Sequence, residues 1–291
     1  MFSKEQLLFL ADYFSPLYIF KYYYSIISLN FLFILIVTFS NYSFFFNNLN
    51  LFTFANFPIY FFITGIILIF HEFGHSTTSL KLGANPSSIG FGFYLISPVM
   101  YTDVSDIWKL KRKERNYVNF AGIYTEVFIG MLMSILFLLT YNISFIIINL
   151  IIIFSVFINL NPFFRYDGYW ILSDSLNIPN LRKVSNQKLK SFCSHFLIGK
   201  KFSYSPKNIF LILYSFISLS IIFVFLIYVL IFNYNSIFSF PFDLIRYISQ
   251  IHENKLSFDD VILFKLLIPA LFYFIVVKFI FTLVLKNIKN L

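Results

Sequence analysis

The sequence predicts an all-α polytopic membrane protein of about six transmembrane helices, with a membrane-dipping β-hairpin near its reactive residues. Three observations predict it. Hydrophobic residues make up 59% of the chain and charged residues 12%, about half the charged share of a soluble domain. The apolar residues fall in blocks of about 20, the length a helix needs to cross a hydrocarbon core. Lysines and arginines collect in alternate connecting segments, as cytoplasmic loops do.

Six blocks qualify: residues 22–40, 57–76, 117–141, 143–160, 209–234 and 261–285. Residues 1–21 hold two Lys or Arg, 41–56 none, 77–116 six, the turn after 141 none, 161–207 eight and the tail after 285 two. Residues 235–260 hold two and are net acidic through Asp243, Glu253, Asp259 and Asp260. That alternation puts both termini in the cytoplasm, on a multi-pass cell-membrane protein, and makes 235–260 an outer loop. Lys265 and Lys278 lie inside the sixth block, and Lys278, near its inner end, snorkels. After a helix stop at Gly83-Ala84-Asn85-Pro86, residues 89–104 have strand content around Gly90, Gly92 and Pro98 and form the predicted hairpin. Residues 181–198 set Leu181, Val184, Phe192 and Phe196 among Lys183, Lys188 and Lys190, the pattern of a basic amphipathic helix on the inner leaflet.

The net charge of +9 sits in these inter-span segments, so it marks topology and not a nucleic-acid surface. Cys193 is the only cysteine, which excludes an internal disulfide and a Cys-rich zinc site. A cleavable signal peptide is not expected, because the first apolar block lacks a short apolar region followed by a small-residue cleavage site.

The second block contains His71-Glu72-Phe73-Gly74-His75. Positions i and i+4 of a helix share a face, so both imidazoles reach one Zn²⁺. Glu72 beside them is placed to take a proton from water that such a metal acidifies towards a pKa of about 7. The pentapeptide alone arises often by chance. In an apolar span it is specific, because each ionisable group at mid-membrane costs on the order of 2.5 kcal/mol or more and a metal compensates three at once. The competing reading, a polar patch lining a helix interface, offers no such compensation.

A catalytic zinc site takes three protein ligands and a water. Asp167 is the candidate third ligand: it follows the inner end of the fourth block, between the helix breakers Pro162 and Gly168. Spacing alone leaves equal room for an Asp-Gly surface turn paired with Arg165. His71 lies 12 residues before Gly83 and Glu126 lies 10 beyond Asn116, roughly 18 and 15 Å of helix from the cytoplasmic side. The two are therefore at similar depth. Glu126 then has two readings, an acceptor that orients a zinc-bound histidine or a hydrogen bond to a neighbouring helix. His195 and His252 read as isolated solvated or interfacial histidines. Asp103 and Asp106 read as caps of the turn before Trp108, with Asp103 within reach of the site, and residues 109–115 as a solvated charge run.

These segments resemble the site-2 protease family of intramembrane metalloproteases. Its pattern is HExxH in one span and Asn-x-x-Pro-x-x-x-Leu-Asp-Gly at a later one. Asn159, Pro162, Asp167 and Gly168 match, with Tyr166 in place of Leu. The resemblance implies Asp167 as the third zinc ligand and Asn159 as a residue that holds the substrate backbone or the oxyanion. Residues 101–108, 121–126, 161–174 and 178–181 are similar to a subgroup of peptide zinc metalloproteases associated with modified-peptide maturation and export. The likeness covers about residues 70–183. No PDZ-like insert fits between the third and fourth spans, so selection of substrate by such a domain is not implied.

The resulting expectation is one membrane domain over 1–291, with a catalytic core over 57–183 and, over 184–291, the amphipathic segment and two C-terminal spans. Its function is that of a zinc metalloendopeptidase of site-2 type, cleaving a membrane-inserted or exported peptide. Zn²⁺ sits on His71, His75 and Asp167, and Glu72 is the general base. The expected partners are membrane lipid, the peptide or membrane-protein substrate and peptide-export components. The alternative is a peptide transport or immunity component that keeps zinc for structure. Glu72 discriminates between them, because a structural site has no use for a base.

Overall fold

The computed structural model describes residues 4–48, 57–94, 97–199, 201–232, 234–252, 269–270, 272–274 and 277. The described chain is almost wholly helical. It divides into two compact units, residues 1–92 with 99–184 and residues 93–98 with 185–291.

The first unit begins with α1 (Lys4–Phe14), two short 3-10 turns, α2 (Tyr23–Ser40) and α3 (Tyr42–Asn47). Helix α4 (Phe57–Lys81) follows and ends where the sequence stop falls. Gly83 has φ +86°, and Ala84 N donates to Ser79 O at 2.9 Å while Gly83 N donates to Leu80 O at 2.9 Å. This left-handed glycine cap satisfies the last carbonyls of α4. Strands β1 (Ile89–Tyr94) and β2 (Ser97–Thr102) form the expected two-stranded hairpin. Its base is closed by Ser87 N to Asp103 O and Asp103 N to Ser88 O, each 2.9 Å. Hydrogen bonds from Ser105 and then Ser87 hold the Asp103 carboxyl below the usual carboxylate range. Asp106 accepts from Asn85 N at 2.7 Å.

Helix α5 (Arg112–Thr140) is the centre of this unit, packing on α2, on α4, on α6 (Ile143–Asn159) and on α7 (Asp167–Leu176). Glu114 accepts from Lys111 N at 2.8 Å and starts it. Tyr141 in the left-handed region ends it, and Asn142 caps α6 by accepting from Ser144 N. Ile34, Ile67, Ile123, Val127, Ile152 and Val156 form one core between α2, α4, α5 and α6. Tyr18, Tyr23, Tyr117 and Tyr124 form a second, aromatic one. Gly74 lets α4 approach α5 closely, since a Cβ there would meet Thr125 Oγ1 and the Ala121 carbonyl.

Helix α7 is tied to α5 by an ion pair whose carboxylate, Asp174, is buried. Arg115 Nε donates to Asp174 Oδ1 at 2.7 Å and Asn119 Nδ2 to Asp174 Oδ2 at 2.8 Å. Removing one partner of such a pair leaves a buried charge uncompensated, at a cost of about 3–5 kcal/mol. Arg115→Leu is therefore expected to lower the thermal midpoint in detergent by several degrees; an unchanged midpoint would show the pair to be idle.

The second unit carries most of α8 (Leu181–Ile198), then α9 (Pro206–Phe232) and α10 (Tyr234–His252). Ser215 Oγ donates to Asn186 Oδ1 at 2.6 Å, fixing α9 on α8. Residues 181–198 are helical as expected, with Phe196, Leu197 and Ile198 exposed at the end. Residues 234–252 form a helix, most of which falls in the segment 235–260 expected between the fifth and sixth spans. Pro241 lies inside this helix, Ile237 and Tyr247 are buried, and Phe238, Phe242, Ile245 and Ile248 recur at helical spacing on an exposed stripe.

Among the described residues, four stretches are long and apolar enough to cross a membrane: Ser15–Ser40, Pro58–Lys81, Arg112–Thr140 and Pro206–Phe232. These correspond, within two residues at the shared ends, to the first, second, third and fifth of the predicted blocks. The fourth corresponds to α6, an apolar helix of 17 residues, at the short end of what spans a bilayer. The sixth, 261–285, lies almost wholly outside the described residues.

Candidate metal centre

Residues far apart in sequence meet on the inward faces of α4, α5, α6 and α7. The i, i+4 spacing stacks His71 and His75 on one face of α4, both buried, with their Nε2 atoms 3.2 Å apart. Asp167 is the first residue of α7 and reaches them across the bundle. His71 Nε2 lies 3.1 Å from Asp167 Oδ2, and His75 Nε2 lies 3.4 Å from Asp167 Oδ1. The break after α6 puts it there. At Gly168 a Cβ would meet the carbonyl of Leu160, so only glycine lets α7 start against the last turn of α6.

The outer hydrogen bonds decide how the rings face. His75 Nδ1 is 2.7 Å from the Val118 carbonyl, which can only accept. His71 Nδ1 is 3.0 Å from Glu126 Oε1. In the neutral rings each Nδ1 thus carries the proton, and each Nε2 turns a lone pair inward. Asp167 sets its two carboxylate oxygens opposite these Nε2 atoms. Two imidazole lone pairs and a carboxylate converging on one point form a donor set that a cation would join. Ligand atoms on a tetrahedral metal with bonds of about 2.1 Å lie about 3.4 Å apart, and the observed separations fall at or just below that. His71, His75 and Asp167 can hold a metal ion.

Space for this triangle comes from Gly122 on α5. A Cβ at that position would overlap the His71 ring at Nε2 and Cε1. Glu72 lies beside the pair, and Thr102 at the end of β2 donates its hydroxyl to Glu72 Oε2 at 2.7 Å, with the Glu72 carbonyl at 3.0 Å. Asp103, the neighbour of Thr102, is engaged with Ser87 and Ser105 instead. Glu126 is fully buried and also accepts from Ser155 Oγ at 2.7 Å. Asn159 places its amide nitrogen 3.5 Å from the same oxygen and 3.4 Å from Ser155 Oγ.

Thus His71, Glu72, His75, Glu126, Asn159 and Asp167, all singled out from sequence, gather in one place. His195 instead packs against Phe196, Phe202 and Tyr204 in the second unit. Sequence reading missed Thr102, Ser155 and Gly122. Two of these carried a signal: Gly122 precedes Glu126 by four residues, and Ser155 precedes Asn159 by four, so each pair shares a helix face. Thr102 carried none, since its role depends on how the hairpin returns to α4. Compared with known proteins, the chain matches no family model, no curated protein and no solved structure.

Proposed function

We propose that this chain is an intramembrane zinc metalloprotease that hydrolyses a peptide bond in a membrane-inserted or exported peptide. The observation that carries the reading is a triangle of two buried imidazoles and a carboxylate with Glu72 beside it, on a helix apolar enough to cross a membrane. His71 Nε2, His75 Nε2 and the Asp167 carboxylate would hold the zinc. When bound, zinc polarises a carbonyl and acidifies water. The same donor set also serves non-haem iron, but a glutamate next to the histidine pair gives hydrolysis an assignable base.

Each protein group then has a task. Glu72 takes the proton of the attacking water and delivers it to the leaving amine nitrogen. Thr102 occupies Glu72 Oε2, which leaves Oε1 for that proton. The outward faces of the helices support a lipid setting. Phe61 and Phe62 on α4 and Phe154 and Phe157 on α6 are each 60% exposed or more, apolar display of a kind soluble surfaces avoid. A substrate held as a helix hides its carbonyls in its own hydrogen bonds, so the peptide must unwind beside the centre.

The test uses the full chain purified in detergent. About one zinc per chain is expected, together with cleavage of candidate peptides encoded beside the gene. A strong chelator should abolish the cleavage, and added zinc should restore it. Absence of zinc from the wild type, or cleavage that survives complete chelation, overturns the reading.

A further inference from the structure

The two histidines are held differently. His75 rests on a backbone carbonyl, Val118 O, which carries no net charge. His71 rests on a carboxylate, Glu126, which is fully buried on α5. That carboxylate is used unevenly. Its Oε1 takes His71 Nδ1 at 3.0 Å, Ser155 Oγ at 2.7 Å and, at the outer limit, Asn159 Nδ2 at 3.5 Å, while its Oε2 is buried with no hydrogen-bond partner. A carboxylate placed only to satisfy neighbouring helices would share its donors between both oxygens. Here α6 supplies two donors that press one oxygen onto the imidazole.

We propose that Glu126, held in place by Ser155, is a positioning residue that sets how tightly the centre binds its metal. This deepens the metal-centre reading above and rests on it. Two neutral imidazoles and the Asp167 carboxylate leave a divalent cation with one uncompensated positive charge. An uncompensated charge in an apolar interior is costly. Glu126 supplies the balancing charge one imidazole away and locks the His71 tautomer, and partners in this position commonly govern metal affinity. Ser155 and Asn159 then act on the metal through Glu126. The amide of Asn159, which the family resemblance assigns to substrate, here faces that carboxylate.

The experiment needs no substrate. The full chain in detergent is stripped of metal and titrated with Zn²⁺ against a competing chelator, and with Co²⁺ by its visible absorption. Glu126→Gln, which keeps the size and loses the charge, is expected to raise the zinc Kd about 10–100-fold and to alter the Co²⁺ spectrum. The metal-free melting midpoint should stay within about 2 °C of wild type. Ser155→Ala should weaken zinc in the same direction by less, and Ser155→Thr, which keeps the hydroxyl, should restore it. If wild type binds one zinc and Glu126→Gln binds it as tightly, or loses affinity only along with metal-free stability, the proposal is overturned and the metal centre stands. If Glu126→Gln does not fold, equal affinity in Ser155→Ala and Ser155→Thr overturns it. If wild type binds neither Zn²⁺ nor Co²⁺, the metal-centre reading itself fails.

Discussion

Glu72→Gln is expected to lower peptide cleavage by about 10²–10⁴-fold, the range lost when a positioned acid–base group is removed, while the chain keeps its zinc. The two halves of that result separate for a geometric reason. Glu72 lies outside the acceptor triangle: His71, His75 and Asp167 form it, and Thr102 takes Glu72 Oε2 at 2.7 Å. Glutamine fills the same volume and still accepts the Thr102 hydroxyl through its amide oxygen, so the helix and the hairpin keep their contact. It cannot take a proton from water. Zinc content and cleavage, measured on the same preparations of wild type and variant, check both halves. Cleavage at the wild-type rate would remove Glu72 as base. A structural zinc site in a transport or immunity component predicts zinc in both preparations and cleavage in neither.

Periodicity and motif spacing made part of this molecule legible. The His71 and His75 pairing needed only the pitch of a helix, and the stop needed only the Gly83-to-Pro86 signal, which the structure meets with Gly83 at φ +86°. The apolar blocks at 22–40, 57–76, 117–141 and 209–234 marked helices because apolar runs of about 20 residues are too long for strands. The helix over 234–252 was not legible from charge counting, which sorts the segments between spans by side and says nothing of their secondary structure. Asp167 was ambiguous because nothing local tells whether an Asp-Gly step turns inward; the contact of Gly168 with the Leu160 carbonyl decides it, and that contact exists only once α6 and α7 are packed. Thr102 was invisible for a similar reason, being 30 residues from Glu72 in sequence. Depth arithmetic placed Glu126 level with His71, yet the choice between ring and neighbouring helix required the 3.0 Å contact, and Glu126 meets both through Ser155.

Gly122→Ala is expected to abolish tight zinc binding while leaving the helices folded. On propensity alone the change should help, since alanine in a helix interior is favoured over glycine by about 1 kcal/mol. Sterics oppose it, because a Cβ at 122 would occupy the space of the His71 ring at Nε2 and Cε1. Overpacking of this kind costs about 1–3 kcal/mol, so the two terms nearly offset and the thermal midpoint should move little. The metal has no such offset. To clear the new methyl group, the His71 ring must swing away, which moves its Nε2 out of the triangle and breaks the bond to Glu126. Zinc held by a few protein ligands is worth about 10–16 kcal/mol in all. Losing one of three should therefore cost about 3–5 kcal/mol, or roughly 10²–10⁴-fold in Kd. Gly65→Ala is the control, since a Cβ there meets nothing within 4 Å and it lies on the same helix as the histidines; it should bind zinc as wild type does. Wild-type zinc affinity in Gly122→Ala would mean that the His71 ring does not lie against α5, and the geometry that joins Glu126 to the metal would fall with it.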